Sequence, residues 1–341
     1  MYFTIYDDGH SHLWRQRFPD GQAEQITSGP TDEYGVVAEP DGRGLITSVG
    51  VSSSSLWIHD GSADRQLSSE GEIVGLLAFS PDGNFLYYLF QRSEARIVEL
   101  WRTAIDSGKS EVVFPGISMT SFNLSPDGKR VLYTMYEAEG PSGLWLAPVD
   151  RSSPAMKVNL PGARYPHFGP HERILIQYPE GDKNYLEQID RDGSHRSKVY
   201  PVPILEFQSV SPGGHWATAP VAAAPGKKFP AVMALPLDGG APRLLCSNYC
   251  LTSWSTDGKF LFVSVEGASR TGAGRTLAIP LGPGETLPDL PPQGIDQRTG
   301  PSVLRGAQSV ARYDPVPWKD PQHYAWVNGT VHLNLYRITI P

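Results

Sequence analysis

A four-residue corner recurs along this 341-residue chain at nearly constant spacing, and that recurrence constrains the fold more than any single residue does. The copies read "AEPDGRGLIT" at Asp41, "FSPDGNFLYY" at Asp82, "LSPDGKRVLY" at Asp127, "FGPHERILIQ" at His171, "VSPGGHWATA" at Gly213 and "STDGKFLFVS" at Asp257. The intervals are 41, 45, 44, 42 and 44 residues. Proline presets φ for the first corner position, aspartate bonds back onto its own backbone, and glycine accepts the left-handed conformation. Each copy therefore reads as a tight turn between two β-strands. The copies at His171 and Gly213 lack the aspartate, and the first lacks the glycine as well. A structural turn tolerates such losses better than a reacting group does. A period in the forties built from short strands predicts an all-β fold, a β-propeller of four-stranded antiparallel blades.

A second marker runs in phase with the first. "LWR" at Trp14, "LWI" at Trp57, "LWR" at Trp101 and "LWL" at Trp145 are followed by the weaker "YLEQI", "VMALPL" and "LAIPL", then by "LYR" at Tyr336. These segments are the expected third strands, and polar turns such as "HDGSA" and "LDGGA" lead from them to short outer strands. Burying one such Trp or Leu between blades contributes roughly 1.5–3 kcal/mol, so the tryptophans are expected to be packing residues. The 35 glycines and 31 prolines suit many short strands joined by turns.

Six internal repeats span residues 34–292. Residues 1–28 supply a second, third and fourth strand, and residues 301–341 a first, second and third. Interleaving the two ends predicts a single domain over 1–341 with seven blades; keeping them apart gives eight. The segment "PLGPGETLPDLPPQGIDQRTGPS" reads as a loop excursion. Because "MYFTIYDD" alternates like a strand already inside a sheet, the chain is expected to begin within a blade of a larger polypeptide.

The formal charge of -7 and the lack of a Lys/Arg cluster argue against nucleic acid as a partner. No run approaches the ~18 apolar residues of a membrane span, so no insertion into a membrane is expected. Cys246 and Cys250 either close a local disulfide or remain two thiols. No histidine stands near them to build zinc coordination, and no cofactor is expected. His10 and His12 read as a solvent-facing hairpin pair. There is no GxSxG nucleophile elbow, "GISMTSF" around Ser118 included. Gly-rich loop, VAIK, HRD and DFG motifs are likewise lacking, and "IDRDG" at 189–193 reads as a turn.

Binding in a propeller is expected where the loops entering the first strands meet round the channel. The candidate loops are "PTDEYG", "SEGEI", "GISMTS", "GARYPH", "ILEFQS" and "SNYCLTSW". From them the candidate ligand-binding residues are Glu33, Tyr34, Arg164, Tyr165, His167, Gln208 and Trp254. Such a mixed polar and aromatic rim suits a protein, a peptide or a glycan.

The "SPDGK" corners, "LW" third strands and "DGG" turns resemble PD40 repeats, the WD40-like units of TolB and of prolyl-oligopeptidase-type propellers. "HLWRQRFPDGQAEQITSGPTDEYGVVAEPDGRG", "LWLAPVDRSSP" and "YAWVNGTVHLNLYRITIP" further resemble propeller regions of acidobacterial serine/threonine kinases and winged-helix regulators. The resemblance implies a non-catalytic sensory or scaffolding domain. With a membrane kinase it implies an extracytoplasmic position, where a Cys246–Cys250 bridge persists. A second reading is a carbohydrate-active propeller, lyase or glycosidase, with its active site in the channel.

Overall fold

The computed structural model describes residues 1–7, 10–68, 72–92, 97–137, 142–223, 226, 228–268 and 273–339. The chain opens with a three-stranded antiparallel sheet of β1 (Tyr2–Asp7), β2 (His10–Gln16) and β3 (Ala23–Gln25). β4 (Asp32–Ala38), β5 (Gly44–Asp60) and β6 (Asp64–Gln66) follow, with both β4 and β6 paired to β5. Four-stranded blades come next in regular succession. They are β7 (Glu72–Phe79), β8 (Phe85–Arg92), β9 (Glu99–Ala104) and β10 (Ser110–Val112), then β11 (Ser121–Leu124), β12 (Arg130–Met135), β13 (Gly143–Pro148) and β14 (Met156–Val158). The third such blade holds β15 (Arg164–Phe168), β16 (Ile174–Glu180), β17 (Lys183–Ile189) and β18 (Ser197–Lys198). β19 (Ser209–Val210), β20 (Trp216–Val221), β21 (Ala231–Pro236) and β22 (Arg243–Cys246) form the fourth. β23 (Leu251–Trp254), β24 (Phe260–Ala268), β25 (Ala273–Pro280) and β26 (Gln308–Val310) form the fifth. The chain closes with β27 (Val316–Pro317) and β28 (His323–Thr339). Among the described residues no helix is long and apolar enough to cross a membrane.

The two ends close the ring by a route that differs from the expected one. Where the repeat reading expected separate second and third strands, β5 and β28 each run straight through as 17-residue strands and pair antiparallel along their whole length. The half of β28 near Trp326 pairs with the half of β5 near Trp57, with β27 inside and β6 outside. That set is itself a four-stranded blade. The described blades therefore number six, not seven, because β1, β2, β3, β4 and the first half of β5 stand outside the ring.

Core packing accounts for the same number. Each blade alternates side chains to its two faces, and six buried apolar clusters fill the six spaces between neighbours. Leu56 and Ala325 of the closing blade meet Phe79 and Leu86 on one side. On the other side Tyr324 and Trp326 meet Phe262 and Ala278. The "LW" tryptophans pack as expected: Trp57 stacks on Trp326 at 6.0 Å, and Trp101 lies 5.2 Å from Phe90.

The recurrent corners are built alike. In "SPDG" the Ser80 hydroxyl donates to Asp82 Oδ1 at 2.6 Å, while the Asn84 amide donates to the same oxygen at 3.0 Å. These bonds hold the Asp82 carboxyl below the usual carboxylate range, as the equivalent bonds do for Asp127. The aspartate is thus committed to the turn. At the copy that lost both residues, His171 and Glu172 adopt φ of 52° and 61° in place of glycine. Corners of successive blades also touch. A Cβ added to Gly128 would lie 3.0 Å from Pro81, one on Gly214 would lie 3.2 Å from Pro170, and one on Gly83 would lie 2.0 Å from Trp318.

Gly83, at φ 75°, therefore needs both a left-handed backbone and the absence of a side chain. Gly83→Val is expected to cost about 3 kcal/mol or more, summing backbone strain and overpacking. Gly116→Val, also left-handed but with nothing within 4 Å, pays the strain alone. Thermal unfolding of both variants checks this: equal losses would remove the packing role assigned to Gly83.

Candidate ligand-binding channel

The innermost strands β7, β11, β15, β19, β23 and β27 surround a channel. Register shifts at Gly75/Leu77 and Arg164/His167 mark bulges on the strands entering it. A bulge re-aims a side chain, and the bulged Leu76 and Tyr165 take φ of 42° and 46°. Asp314, just ahead of β27, has φ 52°. All three line one cavity of about 560 Å³ with Glu206, Phe207, Gln208, His167, Trp254 and Tyr313 among its other walls. None of the described lining residues is Lys or Arg.

Two carboxylates give the cavity its electrostatics. Glu206, in the loop ahead of β19, accepts a 2.9 Å hydrogen bond from the Tyr249 hydroxyl. Burial and the Glu206 charge raise the Tyr249 phenol above the ordinary tyrosine range. Cys246 and Cys250 are joined in a disulfide, with Cα atoms 6.3 Å apart, and the loop it closes carries Tyr249. Asp314 as a residue is exposed at the channel, while the cavity walls crowd round its carboxyl. That desolvation, reinforced by the charge on Glu206, pushes Asp314 up to about 6. Its backbone N–H is held separately, donating to Ser264 Oγ at 3.0 Å.

His167 is a neutral member of the wall. Desolvation lowers it to about 4, and its Nδ1 lies 3.1 Å from the Tyr165 carbonyl oxygen. In the tautomer that donates there, Nε2 remains an acceptor. Its ring rests 4.4 Å from that of Phe207. Amide side chains stitch the inner strands together. The Phe168 N–H donates to Asn123 Oδ1 at 3.0 Å, and the Phe207 N–H donates to Gln177 Oε1 at 2.9 Å. Gln208 Nε2 donates to the Cys250 carbonyl at 2.9 Å, while Gln208 Oε1 accepts from the Thr252 hydroxyl.

Of the residues selected from sequence, Tyr165, His167, Gln208 and Trp254 meet at this cavity. Gln208 braces two blades, and Trp254 is chiefly a core residue at 8% exposure. Arg164, at the start of β15, is exposed and is not among the lining residues. Glu33 and Tyr34 lie outside the ring altogether, because β4 pairs with the half of β5 that leaves it. Glu33 is buried and bonded to His12 at 3.0 Å, and the Tyr34 hydroxyl lies 3.3 Å from Asp32. His12 is buried as well and His10 stands 3.6 Å from Asp32, so this pair is not the solvent-facing one expected. Asp314 and Tyr313 escaped selection. Their signal was positional, since "RYDPVPW" enters the closing blade's first strand as "GARYPH" enters β15.

Two further cavities involve the corners. One of about 570 Å³ lies between the corners and loops of two neighbouring blades, and its carboxylates Asp82, Asp127 and Asp150 are already committed to their own turns. Another, of about 380 Å³, is rimmed by Pro81, Pro126, Pro170 and Pro212 and shares His167 and Asn123 with the acidic cavity. Among the described residues no group of three or more His, Cys, Asp or Glu side chains is placed to hold a metal ion.

The raised Asp314 makes stability depend on pH with a definite sign. The folded state holds this proton where the unfolded chain has released it, so the contribution is present below about pH 4 and is lost as pH rises through about 6. Asp314→Asn keeps a residue that tolerates positive φ and removes the charge. It is expected to stabilise the fold at pH 7.5 by about 1 kcal/mol, discounted for the exposure of Asp314, and to match wild type near pH 4. Chemical denaturation at the two pH values measures the difference.

No protein-family model and no curated protein sequence matches this chain. Solved structures do. The fold is similar to TolB from Acinetobacter baumannii, with 14% identity, 79% of this chain and 73% of that one covered, and a TM-score of 0.52. It is also similar to the putative TolB of Agrobacterium tumefaciens, with 16% identity over 82% of this chain and 99% of that one, and a TM-score of 0.58. An oligogalacturonate lyase in complex with manganese gives a TM-score of 0.48 at 13% identity, covering 82% of this chain and 81% of that one. At such identities the likeness extends to architecture alone: the chain has the fold of a TolB-like β-propeller.

Proposed function

We propose that this propeller is a non-catalytic recognition module that takes a cationic group of a peptide into its channel. The observation that carries this reading is the uncompensated acidity of the cavity. Glu206 and Asp314 line the same cavity, where desolvation first and the Glu206 charge second raise the Asp314 carboxyl, and no Lys or Arg stands among the described lining residues. An ammonium or guanidinium group entering there relieves that repulsion. Tyr165, Phe207, Tyr313 and Trp254 supply aromatic walls, and rings favour a cation together with its alkyl stem. His167, neutral at physiological pH, adds an acceptor rather than a competing charge.

The test is calorimetric titration with a short unstructured Lys-rich peptide and with the same peptide fully acetylated. At pH 7.5 the charged peptide is expected to bind and the acetylated one to bind far more weakly. Binding is expected to weaken with added salt and to fall between pH 7 and pH 5 as Asp314 takes up its proton. Asp314→Asn is expected to reduce affinity about tenfold, the loss of one charge-assisted contact. Equal binding of the two peptides, or indifference to Asp314→Asn, refutes the proposal.

A further inference from the structure

Both β7 and β15 enter the channel through a bulge, and each bulge holds a residue that its backbone conformation disfavours. "VGLLAF" places Leu76 there and "ARYPHF" places Tyr165, at φ of 42° and 46°. The left-handed region crowds Cβ against the following carbonyl, so a residue with a large side chain is strained in it. β4 carries the same device outside the ring, with a register shift between Tyr34 and Val36, and there the bulged residue is Gly35 at φ 69°. Glycine meets the requirement without strain. Among the described residues, Leu76 and Tyr165 are the only non-glycine residues with positive φ inside a strand.

Packing does not offset that strain. Neither side chain belongs to any of the six buried apolar clusters, and Leu76 and Tyr165 are 49% and 39% exposed. Two more apolar side chains outside those clusters stand beside Glu206. Leu205, its neighbour in the chain, is 51% exposed, and Tyr249, whose hydroxyl donates to its carboxylate, is 42% exposed. Leu76 and Tyr165 line the acidic cavity itself, together with Glu206 and Asp314. The cavity therefore carries, beside its two carboxylates, apolar surface that the fold does not use. Apolar surface gathered at a polar site marks a place for a partner.

Building on the cationic occupant proposed for the channel, we infer that Leu76 and Tyr165 set its sequence context: the partner is a peptide segment whose lysine or arginine is flanked by apolar side chains. The carboxylates take the charge, and the two bulged side chains cover its apolar neighbours. The left-handed backbone at each bulge aims the side chain from the strand into the cavity. Charge complementarity selects this occupant over a second copy of the chain, because a two-fold contact would set one acidic cavity against another.

The test is calorimetric titration of the 341-residue chain with two short blocked peptides, one holding a lysine between two leucines and the other the same lysine between two serines. The leucine-flanked peptide is expected to bind at least about tenfold more tightly. Leu76→Gly and Tyr165→Gly are each expected to shrink that ratio, and the double variant to bring it to about one, whereas Leu76→Met preserves it. Because glycine relieves the strain, the melting temperature of each glycine variant is expected to hold or rise. A marked fall assigns these side chains to packing and overturns the inference. Equal binding of the two peptides by the wild-type protein overturns it while leaving the cationic reading standing; binding of neither overturns both. A ratio that survives the double variant also overturns it, as does a dimer in sedimentation equilibrium that Leu76→Gly dissociates, which names a second copy as the occupant.

Discussion

The ring rests on the pairing of β5 with β28. Seventeen consecutive residue pairs join segments from opposite ends of the chain, and Ser53 meets Thr330 across 277 positions at 2.8 Å. Closing so large a loop costs entropy that grows only slowly with length, whereas every added ladder pair contributes hydrogen bonds and buried side chains. The closing blade then supplies both faces its neighbours need, against Phe79 and Leu86 on one side and Phe262 on the other. Without that blade two apolar sheet faces would be open to water. Ring closure is a condition for the other four interfaces to persist as one body.

The parts of this architecture that local chemistry determines could be read from the residues. An "SPDG" corner is specified by its own serine, aspartate and glycine, and the hydrogen bonds from Ser80 and Asn84 to Asp82 lie within five residues of chain. The third strands declared themselves through Leu-Trp pairs whose rings fill the spaces between blades. The blade count was different in kind. "VSSSS" and "VNGTVH" are acceptable as turns and as extended strand, and what decides between them is a partner strand more than two hundred residues away. Local propensity carries no information about that partner.

The same distinction runs through the channel. Tyr165, His167 and Gln208 were legible because their loops fall at a repeating position before regular corners. Glu33 and Tyr34 occupy the same phase of the repeat, and phase alone does not tell which sheet a first strand will join. Asp314 was hidden because the turn that follows it, "PWKDPQHY", departs from the corner pattern that anchored the other blades. Its chemistry also depends on a neighbour remote in sequence, since Glu206 and the channel walls make its carboxyl unusual.

The length of β5 and β28 has a mechanical consequence. β28 runs out of the closing blade into the outlying sheet and β5 runs the opposite way, each without a break, so the ring and that sheet share two continuous strands. Tension applied across them runs parallel to the strands and shears many hydrogen bonds at once, whereas a hairpin joint would peel open one bond at a time. The fold therefore joins its two parts through a stiff two-stranded beam rather than a linker. A displacement on one side of that beam is delivered directly to the blade that closes the channel on the other.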